Sequence, residues 1–217
     1  MKRNRIKLVA FDMEGCLTQD PTVWEIMHRK LESWETLGLP YWERYCAGEL
    51  DYDEFARMDV AAWRGAPAVL YDEAAREVKL MPGCDKLLPA LSESNVMSVI
   101  ISNGLMRVAS RFTEGGLGVF RAFANRLVIE KGLLTGELEI EVPYNSKGEI
   151  LKSLAECYGL KKEEVAAVGD STSDIAMFKE ASLGIAFRPS HESVADAATH
   201  VMDGDDLAEL QDIILGA

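Results

Sequence analysis

Val9-Ala10-Phe11-Asp12-Met13-Glu14-Gly15-Cys16-Leu17-Thr18 is the stretch that decides the fold. An apolar run from Ile6 to Phe11 stops at one carboxylate; a second follows two residues later, then a glycine and, after two more residues, a threonine. The run shows no polar alternation, so it reads as a strand buried on both faces, as in a parallel sheet. Ligands of open α/β sheets bind beyond the carboxyl ends of the strands. Asp12 and Glu14 are therefore expected at the mouth of a site, with Gly15 letting the backbone turn close to a ligand. Two acids this close also suit an ordinary solvated turn. The rest of the chain decides between these readings.

Working outward, Val96–Ile101 is a second apolar run, and it ends in Ser102-Asn103-Gly104. Val165–Val168 is a third, ending in Gly169-Asp170-Ser171-Thr172-Ser173-Asp174, and Leu183–Phe187 is a fourth. Helical patterns fall between them. Cys84–Ser92 turns Leu87, Leu88 and Leu91 inward, and Leu105–Glu114 is stopped by Gly115-Gly116. Asn145-Ser146-Lys147-Gly148 opens a helix; Asp174–Ala181, His191–Thr199 and Leu207–Leu215 read as further helices. Ala122–Val142 reads as strands around a Lys131-Gly132 turn. Strands alternating with helices predict an α/β fold, a doubly wound parallel sheet covered on both faces.

One segment breaks that alternation. From about 19 to 79 every pattern is helical: Trp24, Met27, Leu31 and Trp34 share a stripe, and Gly38-Leu39-Pro40 breaks it. Tyr41–Cys46 follows, then a helix capped by Asp51 with Phe55, Met58 and Ala62 inward, then Ala66–Val78. The division expected is a core of 1–18 and 80–217 with a small helical cap, 19–79, over the first strand's end. Its tryptophans read as core.

Bulk properties exclude several functions. The chain has 217 residues, one medium domain or a domain with a modest insertion. A formal net charge of -13 argues against nucleic acid, which needs clustered Lys and Arg. The four cysteines form no CxxC pair, so no zinc site is signalled, and Cys16 reads as a packing residue. The basic opening Met1–Lys7 lacks the apolar stretch of a signal peptide, and no apolar run is long enough for a membrane. The expected compartment is the cytoplasm. His28, His191 and His200 show no ligand spacing and read as surface or packing residues. Arg107 and Arg111, one turn apart after Ser102, suit a solvated face or a reach into the site.

The chemistry comes from three strand ends brought to one edge: Asp12 with Glu14, Ser102, and Asp170 with Asp174. Lys147 starts the helix just before the third. Oxygen ligands of this kind suit Mg2+, which bridges phosphate groups. A lysine neutralises phosphoryl charge, loop amides cradle phosphate oxygens, and a carboxylate can serve as nucleophile through an aspartyl-phosphate. The set points to phosphoryl transfer.

In order and spacing, the four segments resemble the haloacid dehalogenase-like hydrolase superfamily: Asp12–Thr18, Ser102 ending an apolar strand, Lys147, and Gly169–Asp174. The resemblance implies that Asp12 is the nucleophile and Glu14 the general acid, then base. It implies that Ser102, with the amides of Asn103 and Gly104, holds the phosphoryl oxygens, and that Lys147 stabilises nucleophile and phosphoryl group. Mg2+ would sit on Asp12, the backbone carbonyl of Glu14 and Asp170, with Asp174 orienting Lys147 or a metal-bound water. The helical insertion and the Asp-x-Glu-Gly form look like the phosphoserine phosphatase branch, some members of which are similar to phosphoserine:homoserine phosphotransferases. The implied partner is a small phosphorylated metabolite, phosphoserine first, another small phosphomonoester second; oligomeric state is left open. In the cap, Tyr52 matches the branch's aromatic position, and the residue meeting the substrate amine falls near Thr22 or Glu25. The arginine expected to clamp the substrate carboxylate falls at Asp59, while Arg57 is two residues early, about 200° around a helix. Arg57 or Arg64 replaces it only if the helix is shifted.

Overall fold

The computed structural model describes residues 5–216; of the basic opening, residues 1–4 lie outside the described residues. Among the described residues seven strands make one sheet: β1 (Leu8–Phe11), β2 (Met97–Leu105), β3 (Val119–Glu130), β4 (Leu133–Glu139), β5 (Val165–Gly169), β6 (Leu183–Phe187) and β7 (His200–Met202). Their order is β4-β3-β2-β1-β5-β6-β7, with the apolar strand of the opening motif at the centre. Every neighbouring pair is parallel except the β3–β4 hairpin. Register places the site: Phe11 pairs with Ile100 on one side and Val168 on the other. The residues just beyond these three points therefore reach the same edge together.

Side chains alternate between the faces of β1, as the period of two requires. Val9 and Phe11 join Ile100, Val168 and Phe187 on one face, covered by α5 (Cys84–Glu93), α6 (Met106–Glu114) and α10 (Leu210–Gly216). Leu8 and Ala10 join Val99 and Ala167 on the other, covered by α7 (Lys147–Cys157), α8 (Ile175–Glu180) and α9 (Glu192–Ala197). Each fully buried large side chain of this double core contributes roughly 1.5–3 kcal/mol.

Between β1 and α5 lie only helices: α1 (Val23–Lys30), α2 (Leu39–Cys46), α3 (Tyr52–Ala62) and α4 (Ala68–Glu77). Asp51 caps α3 through a reciprocal box, its Oδ1 accepting the Glu54 amide at 2.8 Å and Glu54 Oε2 accepting the Asp51 amide at 3.1 Å. Val23, Met27, Val60 and Trp63 of this segment belong to the same apolar cluster as Phe11, so the helical segment shares its core with one face of the sheet. The outer edge of β4 is covered too: the Gly65 amide donates to Leu134 O (2.8 Å), Leu134 N to Ala66 O (2.9 Å) and Ala68 N to Gly132 O (2.8 Å). An uncovered edge of this kind would be a template for aggregation.

Three boundaries differ from expectation. Gly38-Leu39-Pro40 is not a break: a π-helical turn, Trp34–Gly38, runs into α2, where Pro40 sits in the first turn and loses no backbone bond. The Trp24 stripe stops at Lys30, so Trp34 belongs to the turn. The expected His191–Thr199 helix ends at Ala197, and β7 follows as a parallel edge strand on β6. Three residues are too few for alternation to be visible. No helix among the described residues is long and apolar enough to cross a membrane.

Candidate active site

The chain leaves β1 with the Asp12 amide donating to Val168 O at 2.9 Å, which holds the first carboxylate beside the end of β5. Gly15 then adopts φ +84°, and a Cβ there would collide with the Asp170 carboxylate. Left-handed backbone and lack of room both call for glycine.

Lys147, 1% exposed, lies between two of the acids. Its Nζ donates to Asp12 Oδ1 at 2.8 Å and to Asp174 Oδ1 at 2.7 Å. The other Asp174 oxygen accepts the amides of Asp170 (3.1 Å) and Ser171 (2.9 Å) and the Ser171 hydroxyl (2.9 Å). Asp174 is thus occupied in fixing Lys147 and the loop after β5. Oxygens of Asp12, Asp170 and Asp174 lie within 4.8 Å of one another. Cys16, fully buried, points its thiol at Asp170 Oδ1 at 3.9 Å; burial, then Asp170, holds that thiol well above its ordinary pKa, so it packs and does not attack.

With several acids around one lysine, titration is displaced upward. Burial, against the pull of Lys147, raises Asp12, and burial followed by Asp12 raises Asp170. Burial lowers Lys147, but Asp12 and Asp174 more than reverse this, so it stays charged. Glu14 is pushed up to about 8, by burial first and Asp12 second, and its Oε1 is buried with no hydrogen-bond partner. It carries its proton at neutral pH. Hard carboxylate oxygens this close, with more negative charge than Lys147 balances, fit a divalent cation.

At the end of β2, Ser102 is buried and its Oγ accepts the Gly104 amide at 3.1 Å, leaving the hydroxyl proton free to donate elsewhere. The Asn103 carbonyl accepts from the Asn125 amide group (2.7 Å) and the Tyr52 hydroxyl (3.1 Å). Asn125 Oδ1 accepts the amides of Glu141 and Val142, both at 2.9 Å, and Asn103 Nδ2 donates to Val142 O at 2.8 Å. Fully buried Asn125 therefore fixes the loop; an asparagine inside a strand pattern gave no warning of it.

A cavity of about 500 Å³ opens above these groups. Asp12, Glu14, Ser102, Asn103, Gly104, Lys147 and Asp170 line its floor, and Thr22, Glu25 and Tyr52 its walls. Arg57 does not line it: the guanidinium donates to Leu138 O on β4 at 3.3 Å. Arg64 is also turned toward the hairpin, packed against Gly136. Asp59 lines the cavity itself, its Oδ1 3.0 Å from Nε2 of His28. His28 is fully buried, its Nδ1 2.8 Å from the Ser33 hydroxyl, so it is a packing residue inside a polar pair. Arg111 holds the carbonyls of Ala75 (2.7 Å) and Val78 (2.6 Å), and Arg107 pairs with Asp72; neither reaches the cavity. Sequence reasoning missed Asp20, Trp42, Tyr45 and Tyr144 as wall residues and treated Trp24 as core alone, whereas it is both.

The family model for haloacid dehalogenase-like hydrolase matches residues 9–179. A phosphoserine phosphatase of Methanocaldococcus jannaschii is 31% identical over 91% of this chain and 93% of its own length. One from Campylobacter jejuni subsp. doylei is 33% identical over 96% of this chain and all of its own length. Among solved structures, a phospho-aspartyl intermediate analogue of phosphoserine phosphatase superposes with a TM-score of 0.84 at 29% identity, over 97% of this chain and 99% of that one.

Proposed function

The chain belongs to the haloacid dehalogenase-like hydrolases, in the phosphoserine phosphatase-like branch, and from that premise we propose that it is a phosphomonoester phosphatase working through an aspartyl-phosphate on Asp12. The carrying observation is Lys147, buried between Asp12 and Asp174 with Asp170 alongside and Ser102 at the neighbouring strand end. Phosphoserine is the substrate named for the relatives, and it is the first to test.

Asp12 attacks phosphorus in line with the ester oxygen. That P–O bond breaks as Glu14, protonated at neutral pH, gives its proton to the leaving alcohol. Glu14, now a carboxylate, takes a proton from water; the water oxygen attacks phosphorus, the Asp12–phosphorus bond breaks, and inorganic phosphate leaves. Lys147 and the Ser102 hydroxyl hold the phosphoryl oxygens throughout. Asp12 and Asp170, with the Glu14 carbonyl, would hold Mg2+, which supplies charge neutralisation for the phosphoryl group. We place this activity in the cytoplasm, on a small phosphorylated metabolite. The test is phosphate release from phosphoserine with Mg2+, together with mass-spectrometric trapping of a phosphorylated Asp12. Full turnover by an Asp12→Asn enzyme would exclude the mechanism.

A further inference from the structure

We propose that Trp24 is a positioning residue for Glu14: its indole N–H holds the carboxyl in place and meets the negative charge left there once the proton has gone. This rests on the phosphatase reading and adds to it a group that does not touch the phosphorus. Trp24 Nε1 and Glu14 Oε1 are both buried, and neither has a hydrogen-bond partner. The first can only donate, the second can accept, and buried polar groups that stay unpaired are rare. Both residues line the cavity, and the indole is near enough to act on the carboxyl as a donor, short of a formed bond. Catalytic hydrogen bonds are often long in a resting enzyme and tighten only as the reaction proceeds.

The surroundings fix both partners. The Glu14 carboxyl lies over Gly104: a Cβ there would come within 3.0 Å of its carboxyl carbon and 3.2 Å of Oε1. Gly104 thus makes the room that this longer acid needs. Trp24 is buried, its ring held against Trp63 and Phe55 at 5.6 and 6.4 Å between centroids. It belongs to α1 of the helical segment, whereas Glu14 follows β1. The acid is therefore steadied from the helical segment, and only while that segment is seated on the floor. As the Glu14 proton passes to the ester oxygen and the P–O bond breaks, the carboxyl becomes a buried carboxylate. Donation from Trp24 strengthens at that moment, since a charged acceptor makes a bond roughly twice as strong as a neutral one. An interaction that grows toward the transition state lowers the barrier, and a constant one does not. When water attacks in the second half, the same donor keeps the carboxylate in place to receive its proton.

The experiment is a double-mutant cycle on the full chain with Mg2+, measuring kcat/KM for phosphoserine, phenyl phosphate and p-nitrophenyl phosphate. The two aryl esters are close in shape and differ in how much the leaving oxygen needs a proton. Trp24→Phe, which removes the N–H and keeps a ring, should lower kcat/KM for phenyl phosphate by about tenfold or more, and for p-nitrophenyl phosphate by about threefold or less. Joined to Glu14→Gln, it should cost less than about threefold further on any of the esters. Inhibition by inorganic phosphate, which reads ground-state binding, should change by less than about twofold. Gly104→Ala keeps the amide but crowds the Glu14 carboxyl; it should give the same uneven loss, and it serves as the test if Trp24→Phe does not fold. Equal losses on the two aryl esters, additive losses in the double variant, or phosphate inhibition weakened in step with activity would overturn the inference and leave the phosphatase reading intact. Hydrolysis of none of the three esters by the native enzyme would overturn both.

Discussion

The two ends of the cavity are built by different physics. The floor stands on strand ends whose relative positions are set by backbone ladders, Phe11 against Ile100 and Val168. Its polar groups bind one another, with Lys147 bridging Asp12 and Asp174. The walls stand on helices, and their polar pair, His28 with Asp59, lies at the top of an aromatic cluster. The floor is pre-organised for one kind of chemistry. The walls offer shape and charge sign, which choose among substrates without touching the phosphorus.

Substitutions that break the comparison come first. Asp12→Asn should lower kcat by roughly 10⁴-fold or more in a phosphate-release assay, since it removes the nucleophile. Glu14→Gln should cost about 10²–10⁴-fold, and less for p-nitrophenyl phosphate, whose leaving group needs little protonation. Lys147→Met leaves buried carboxylates without their cation and should destabilise the metal-free protein by about 3–5 kcal/mol in urea unfolding. If the walls select and do not react, Asp59→Leu should leave the buried His28 Nε2 without a partner at about 1–3 kcal/mol of stability, with kcat for p-nitrophenyl phosphate changed far less than by any floor variant.

The smallest effect is one of pH. Glu14 moves from 4.5 in the unfolded chain to about 8 in the fold, so the folded protein holds its proton more tightly. The associated stability is fully present below pH 4.5 and is lost as pH rises toward 8. Asp12 and Asp170, also raised, act in the same direction. A bound cation offsets the buried negative charge, so the rise in Tm on adding Mg2+ should be larger at about pH 8 than at about pH 5. A rise that shrank with pH would mean that the cation does not sit among these acids.

The same contrast explains what was legible in the sequence. Asp12, Ser102 and Asp170 each stand at or just beyond the end of a mainly apolar run, and a parallel sheet leaves such residues one edge to occupy. Lys147 was readable because it opens a helix beside that edge. The aromatic wall was not: Trp24, Tyr45 and Phe55 lie on three different helices, each at a position that core packing and a cavity lining can share. Asn125 and the Gly65–Leu134 bond depend on where a hairpin lands on a loop far away in sequence, and no local pattern records that.

The covered edge of β4 has a dynamic consequence. The hairpin's rim is laced to residues 65–68 and to Arg57 of α3, while Gln19 N donates to Lys79 O where the chain enters and leaves the helical segment. Any swing of α1–α4 would have to carry β4 along or break these bonds. Amide hydrogens of Gly65, Ala68 and Leu134 should then exchange in step, with one opening free energy, and faster than those of β1. Ligand access would be timed by a cooperative unit that crosses the boundary between helices and sheet.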